Sequence, residues 1–299
     1  MALAERIPAV NAGLPYLFQA DEPQNVAVGV SLANHLSVDP HIFHYPSMLY
    51  FIIAIVRLLG RAFAGPGTPV VIVSQGTGID MTTDALLFTE LRLIVVAFSV
   101  AMCIIVWLTV RWITDNAWAA AFAGFCGALS PLLVFTGIFI TPDTLSAFFV
   151  AFTLAAALLI YRRGHRFDYV AAGIGVGLSA GAKYNAAAVA IAVIAAHVAR
   201  YRGGSGRSAG PLVAAGAISV VIFLITTPAA VLHTHEFLTG ALGQLSAYGS
   251  PHSGVTGSSF WYYLGTLHRD SIIGLVTAPL AVLAIAGRWR IESLIIVVY

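Results

Sequence analysis

The sequence predicts an all-α fold: a polytopic transmembrane helical bundle with a long first external loop that contains interfacial helices. Three observations lead there. Of the 299 residues, 59% are hydrophobic and 9% charged, against roughly 25% charged in soluble domains, and the mean hydropathy is +0.88. The apolar residues form continuous runs, which suits helices that satisfy their own backbone hydrogen bonds in lipid and disfavours a β-barrel, whose strands alternate. The arginines fall between those runs, so they mark topology; a formal net charge of +2 beside 9 histidines is too small to suggest a nucleic-acid partner.

Residues 1–13 include Glu5, Arg6, Pro8 and Asn11 and can neither span a bilayer nor supply a signal-peptide core. Residues 291–299 stop about halfway through a plausible span. The chain therefore reads as one module over 1–299, truncated at both ends, with a native short chain as the alternative. Residues 13–90 form the first external loop and 91–299 carry the transmembrane helices. Within the loop, Asp21-Glu22-Pro23 suits the first turn of a helix through Asn25 to Leu36. Residues 45–63 are apolar but carry Pro46, Arg57 and Arg61, so they read as a helix in the interface whose arginines snorkel to headgroups, an ordinary span being the alternative. Residues 65–83 read as loop.

Candidate spans are 91–110, 117–140, 145–161, 169–182, 186–199, 212–232 and 272–286, with an incomplete one from 291. Four connections carry arginine: Arg111; Arg162, Arg163 and Arg166; Arg200, Arg202 and Arg207; Arg288 and Arg290. The positive-inside rule puts all four in the cytoplasm, with Gly203 to Gly206 as a flexible linker there. The two short runs around Lys183-Tyr184-Asn185 then form a hairpin with its tip outside. The first loop, the Thr141-Pro142-Asp143 turn, the Lys183 tip and residues 233–270 all fall on the outer side. Polar chemistry converges on that face.

Asp21 is the leading candidate for a general base or a metal ligand, beside Glu22, and the competing reading is an N-capping pair. Asp143 follows Pro142 at a helix start, where a simple cap is equally normal; with Asp21 on the same side, two acids can divide base and orienting roles. Lys183 between apolar runs needs an anion or an aqueous cavity, so it either snorkels or meets a phosphate. His41 and His44 are spaced by three, weak evidence for zinc between flanking prolines, and His233-Thr234-His235-Glu236 reads as a polar helix exit. Cys103 and Cys126 lie in apolar runs and act as small hydrophobes. Gly173, Gly175, Gly177 and Gly181 read as close helix packing, not as a nucleotide loop.

Gly13-Leu14-Pro15-Tyr16 through Asp21-Glu22-Pro23, Asp39-Pro40-His41 with His44-Tyr45-Pro46-Ser47, Pro142-Asp143, and Gly177-Leu178 with Lys183-Tyr184-Asn185 together resemble the GT-C membrane glycosyltransferases. The branch they look most like is that of protein O-mannosyltransferases and aminoarabinose transferases. The resemblance implies an inverting enzyme of the bacterial plasma membrane, its active site facing outward, that moves a sugar from a polyprenyl-phosphate donor to a lipid, glycan or protein acceptor. It implies Asp21 as base with Asp143 nearby, and Glu22, His44, Tyr45, Lys183 and Tyr184 at the substrate. A divalent metal ion on His44 and Asp143 belongs to the same implication. In aminoarabinose transferases Glu-Lys-Pro-Pro stands where this chain has His44-Tyr45-Pro46-Ser47, so Tyr45 brings no positive charge. The reading from another class is a transporter or a lipid-headgroup-binding protein using the same acids.

Overall fold

The computed structural model describes residues 1–65, 69–74, 80–201 and 208–249. Arg202, Arg207, the 203–206 linker, residues 250–270, the predicted span over 272–286, Arg288, Arg290 and the segment from 291 lie outside the described residues. The described chain is mostly helical, and two of its helices are long and apolar enough to cross a membrane, α4 (Ala85–Thr114) and α7 (Pro142–Arg162).

The chain opens with α1 (Ala2–Arg6) and a short 3-10 turn. Arg6 is wholly buried; it donates to Ser99 Oγ on α4 at 2.8 Å and to the carbonyls of Ala128 and Leu133 at 3.0 and 3.3 Å. Those carbonyls flank a break in the expected 117–140 span, which is two helices, α5 (Ala117–Leu129) and α6 (Pro131–Thr136). Pro131 has no N–H to continue α5 and is pre-set for a first helical turn. At the break the Arg6 guanidinium supplies a donor to the buried Ala128 carbonyl and a second one to the Leu133 carbonyl, which also accepts from the Gly137 amide. The 212–232 span is likewise interrupted: α10 (Gly210–Thr226) stops at Thr227-Pro228, followed by α11 (Ala229–Leu232) and α12 (Thr234–Gly249).

In the first loop, β1 (Tyr16–Leu17), β2 (Ile72–Ser74) and β3 (Asp80–Thr82) make a small antiparallel sheet of order β1-β3-β2. A loop was expected over 65–83; the β-branched run of Val70, Val71, Ile72 and Val73 is short, and only pairing across to Met81 and Thr82 makes it a strand. Helix α2 (Asp21–His35) packs on α3 (Met48–Ala64), and Gly29 allows it, since a Cβ there would lie 2.5 Å from Ile53 Cβ. One side of α3 is buried through Met48, Leu49 and Ile53, while Ile55, Leu58, Leu59 and Phe63 are exposed. Arg57 does not reach outward to headgroups as expected. It is buried and paired at 3.1 Å with Asp84, which also caps α4 by accepting from the Leu87 amide; an inward carboxylate outcompetes solvent for a guanidinium on the packed face. Arg61 contacts Asn34.

Helices α4 and α5 form a hairpin turned by Asp115 in the left-handed region and by Asn116, whose side chain caps α5. Helix α8 (Arg166–Ala182) packs against both α7 and α10. Gly173 and Gly177, one turn apart, bring α8 within backbone contact of α10: added Cβ atoms would sit 2.5 Å from Ala215 O and 2.6 Å from Ser219 O, the close approach small residues permit in membranes. Residues Tyr184–Val189 form a 3-10 turn before α9 (Ala190–Arg200). A single apolar cluster joins Leu17, Val26 and Ile53 of the loop to Phe88 and Leu91 of α4, Leu145 of α7 and Ala182 of α8. That cluster ties the first loop to one end of the bundle.

Candidate active site

Helix α2 begins at Asp21, and the first-turn amides of Asp21 and Glu22 are accepted by Gln19 Oε1 at 2.6 and 2.9 Å. Gln19 does the capping. The carboxylates of Asp21 and Glu22 are thus released from the local duty that would have explained them, and they diverge.

Glu22 turns inward and is fully buried. Its Oε1 accepts from Arg92 Nε at 3.0 Å and from the Ile140 amide at 2.9 Å, and its Oε2 accepts from Arg92 Nη2 at 2.8 Å. Arg92 Nη1 continues to the carbonyls of Val10 and Ala12, and Asn25 Nδ2 donates to the Ile140 carbonyl. Charge-assisted, bidentate bonds of this kind are strong and directional. They clamp the start of α2 to the 138–141 segment three residues before Asp143.

Asp21 is half-buried and faces the loop side, where Tyr45 Oη donates to its Oδ2 at 3.3 Å. Tyr50 on α3 lies close by; burial first, and then the charge of Asp21, push its phenol up to about 12. Tyr184 follows the same pattern, raised mainly by burial and secondly by Tyr50. Both phenols stay protonated at neutral pH and can only serve as neutral donors or acceptors.

Asp143 sits in the first turn of α7 behind Pro142, where the helix dipole favours a carboxylate. Its Oδ1 receives Lys183 Nζ at 2.7 Å, with the two side chains 43% and 20% exposed. This pair is open to solvent on one side. Below it, an apolar cavity of about 460 Å³ runs between α4, α6 and α7, lined by Asp143, Thr136, Ser99, Leu133, Val150 and Leu154 among others. From Asp143 to Leu154 the helix descends about 16 Å.

Tyr184 Oη donates to the Phe43 carbonyl at 3.2 Å, and its ring meets Phe237 of α12 edge-on. Phe43 belongs to the same loop as His44 and Tyr45, so α12, the first loop and the Lys183 hairpin close on one another. His44 is exposed in that loop. The donors around Asp143 do not fit a resident cation, because an ammonium already occupies its Oδ1; among the described residues no three His, Cys, Asp or Glu side chains gather as metal ligands.

The fold thus brings Asp21, Tyr45, Asp143, Lys183 and Tyr184 to one end of the bundle, with Glu22 behind them as a buried tie. Sequence reading missed Arg92, although an ionisable residue at the head of an apolar run is the signal that would have found it. It also missed Gln19 and Tyr50, and the meeting of His233 Nε2 with Asp39 Oδ2 at 3.0 Å, for which no local pattern exists.

The family model described as dolichyl-phosphate-mannose-protein mannosyltransferase matches residues 77–228, which takes in Arg92, Asp143 and Lys183 but not Asp21. No curated protein and no solved structure matches the chain.

Proposed function

The chain belongs to the dolichyl-phosphate-mannose-protein mannosyltransferase family, membrane glycosyltransferases of the GT-C type, and from that premise we propose that it transfers a sugar from a polyprenyl-phosphate donor to an acceptor hydroxyl, with inversion, on the non-cytoplasmic face of a multi-pass bundle. The single observation that carries the reading is the convergence of Asp21 and the Asp143–Lys183 pair at one end of the helices, through the Glu22 clamp and the shared apolar cluster. The arginines of α7, α8 and α9 lie at the opposite end, which the positive-inside rule assigns to the cytoplasm.

Asp21 accepts the proton of the acceptor hydroxyl. The hydroxyl oxygen forms the new bond to the anomeric carbon as the carbon–oxygen bond to phosphate breaks, and the electron pair leaves with the polyprenyl phosphate. Lys183, already held by Asp143, supplies positive charge to the leaving phosphate. Tyr45 orients Asp21, and Tyr184 fixes the loop that carries Tyr45 by holding the Phe43 carbonyl. The cavity below Asp143, apolar along most of its wall, suits an isoprenoid tail whose head stays at the polar rim. Glu22 acts at one remove by fixing both acidic helix starts.

The test is Asp21→Asn in membranes supplied with radiolabelled polyprenyl-phosphate sugars. General-base assistance is worth on the order of 10² to 10⁴ in rate, so transfer should fall by that factor while the unfolding midpoint stays unchanged. Transfer at the wild-type rate would remove Asp21 from the role. Wild-type protein that binds the labelled donor without transferring it would favour a lipid-headgroup-binding protein instead.

A further inference from the structure

At the end of the bundle remote from Asp143, Tyr161, Arg162, Ala199, Arg200 and Tyr201 line an open depression of about 480 Å³. It is built from the last turns of α7 and α9. Arg162 donates to the carbonyls of Trp112 and Ile113 at the C-terminal turn of α4, and Arg200 Nη1 donates to Tyr161 O at 3.0 Å. Both guanidinium groups are therefore tethered to helix-end carbonyls, which orients them. The Arg200 guanidinium also lies over the Tyr201 ring, 5.8 Å from its centroid.

Gly164 contributes to this seat. It turns the chain between α7 and α8 with φ of 61°, and a Cβ on it would lie 2.3 Å from Arg200 Nε, so the left-handed turn and the arginine occupy space that only glycine leaves open. Behind it, Arg200 Nε is buried with no hydrogen-bond partner.

Asp115 is taken by Arg111 and Asp168 by Arg163, while no carboxylate pairs with Arg200 among the described residues. An arginine fork can donate to an anionic oxygen in addition to its tether, having five N–H donors.

The depth of the depression in the membrane narrows the ligand. Helix α7 is 21 residues long, about 30 Å, the thickness of a hydrocarbon core. The depression is therefore at the opposite membrane edge from Asp143. Trp112, whose carbonyl Arg162 holds, and Trp118 beyond the α4–α5 turn are exposed, as aromatic side chains are at the headgroup level.

We propose that this depression binds the phosphate of an anionic phospholipid headgroup, with Arg162 and Arg200 as its donors. The inference rests on the membrane reading and is independent of the transfer chemistry. Bound there, the lipid ties the ends of α4, α7 and α9 together from the side opposite the active site.

The test uses the full chain in neutral detergent micelles, with lipid retention followed by native mass spectrometry and by the shift in unfolding temperature. Phosphatidylglycerol should be retained and should raise the midpoint, while phosphatidylcholine and millimolar inorganic phosphate should do neither. Arg200→Gln should weaken phosphatidylglycerol binding about fivefold, the worth of one basic side chain beside an anionic lipid surface. Arg166→Gln, an exposed arginine on the same rim outside the depression, should bind as the wild type does. If Arg200→Gln fails to fold, Arg162→Gln carries the same expectation. Equal loss in Arg166→Gln, equal retention of phosphatidylcholine, or saturation by inorganic phosphate alone would each overturn the assignment.

Discussion

Two carboxylate–cation pairs, Glu22 with Arg92 and Asp143 with Lys183, are joined through the 140–143 segment at one end of the bundle, and they are built to opposite specifications. Glu22 and Arg92 meet at 2.8 Å with side chains 0% and 1% exposed; Asp143 and Lys183 meet at 2.7 Å with side chains 43% and 20% exposed. The distances are alike, so contact alone does not separate them. What differs is access. Both oxygens of Glu22 are engaged, one of them twice, and Arg92 Nη1 is spent on the Val10 and Ala12 carbonyls, in a pocket that water does not enter. Asp143 and Lys183 are both partly exposed, and Asp143 borders a cavity, so the ammonium can exchange its carboxylate for another anion at little cost. Burial makes the first pair a fastening, and access leaves the second able to exchange partners.

The largest expected effect comes from cutting the fastening. Glu22→Ala leaves the Arg92 guanidinium buried without a counter-charge, which should destabilise the protein by about 3–5 kcal/mol, read as a lowered unfolding midpoint in micelles. The double variant Glu22→Leu with Arg92→Met should recover most of that loss, because two apolar side chains need no partner. Recovery by neither stability nor activity would show that the bonds to Ile140, Val10 and Ala12 outweigh the pair itself.

Cutting the open pair should act on binding. Lys183→Met is expected to change stability by about 1 kcal/mol or less, since a partly exposed pair is screened by water. The KM for a lipid-linked donor should nevertheless rise roughly tenfold, as a charged hydrogen bond to phosphate is lost. A stability loss as large as that of Glu22→Ala would erase the contrast.

A further effect is expected at high pH. Tyr50 is held protonated by burial and by Asp21, with its phenol at about 12 in place of 10. The folded state then binds a proton that the unfolded state has released, so stability present below pH 10 should decline as pH rises from 10 toward 12. Tyr50→Phe should flatten that slope in an alkaline unfolding series. A slope identical to wild type would mean that neither burial nor the charge of Asp21 holds the Tyr50 phenol protonated.

Much of this site was legible before folding. Asp21, Asp143 and Lys183 stand out because charge is scarce in an apolar chain, and their common side follows from counting spans between arginine clusters. The glycines of α8 were readable for the same reason, as small residues at helical spacing. Other features had no local signature. The 117–140 run is apolar throughout, and only Pro131 hints that it is two helices; that Arg6, more than a hundred residues earlier, seals the break is a long-range fact. Gln19 displacing Asp21 and Glu22 from capping is equally invisible, because all three are plausible caps and geometry chooses among them.

Composition by itself determined that this is a helical membrane protein, since lipid leaves a backbone few ways to satisfy its hydrogen bonds and continuous apolar runs select the helix over the alternating strand. It also determined which residues carry charge worth explaining. Tertiary structure alone decided which of those charges are spent inside the protein and which remain at a surface: Glu22 and Arg57 turn inward, while Asp143 and Lys183 do not. The physical reason is that a side chain's energy depends on the partners and the water around it, and both are supplied by distant parts of the chain.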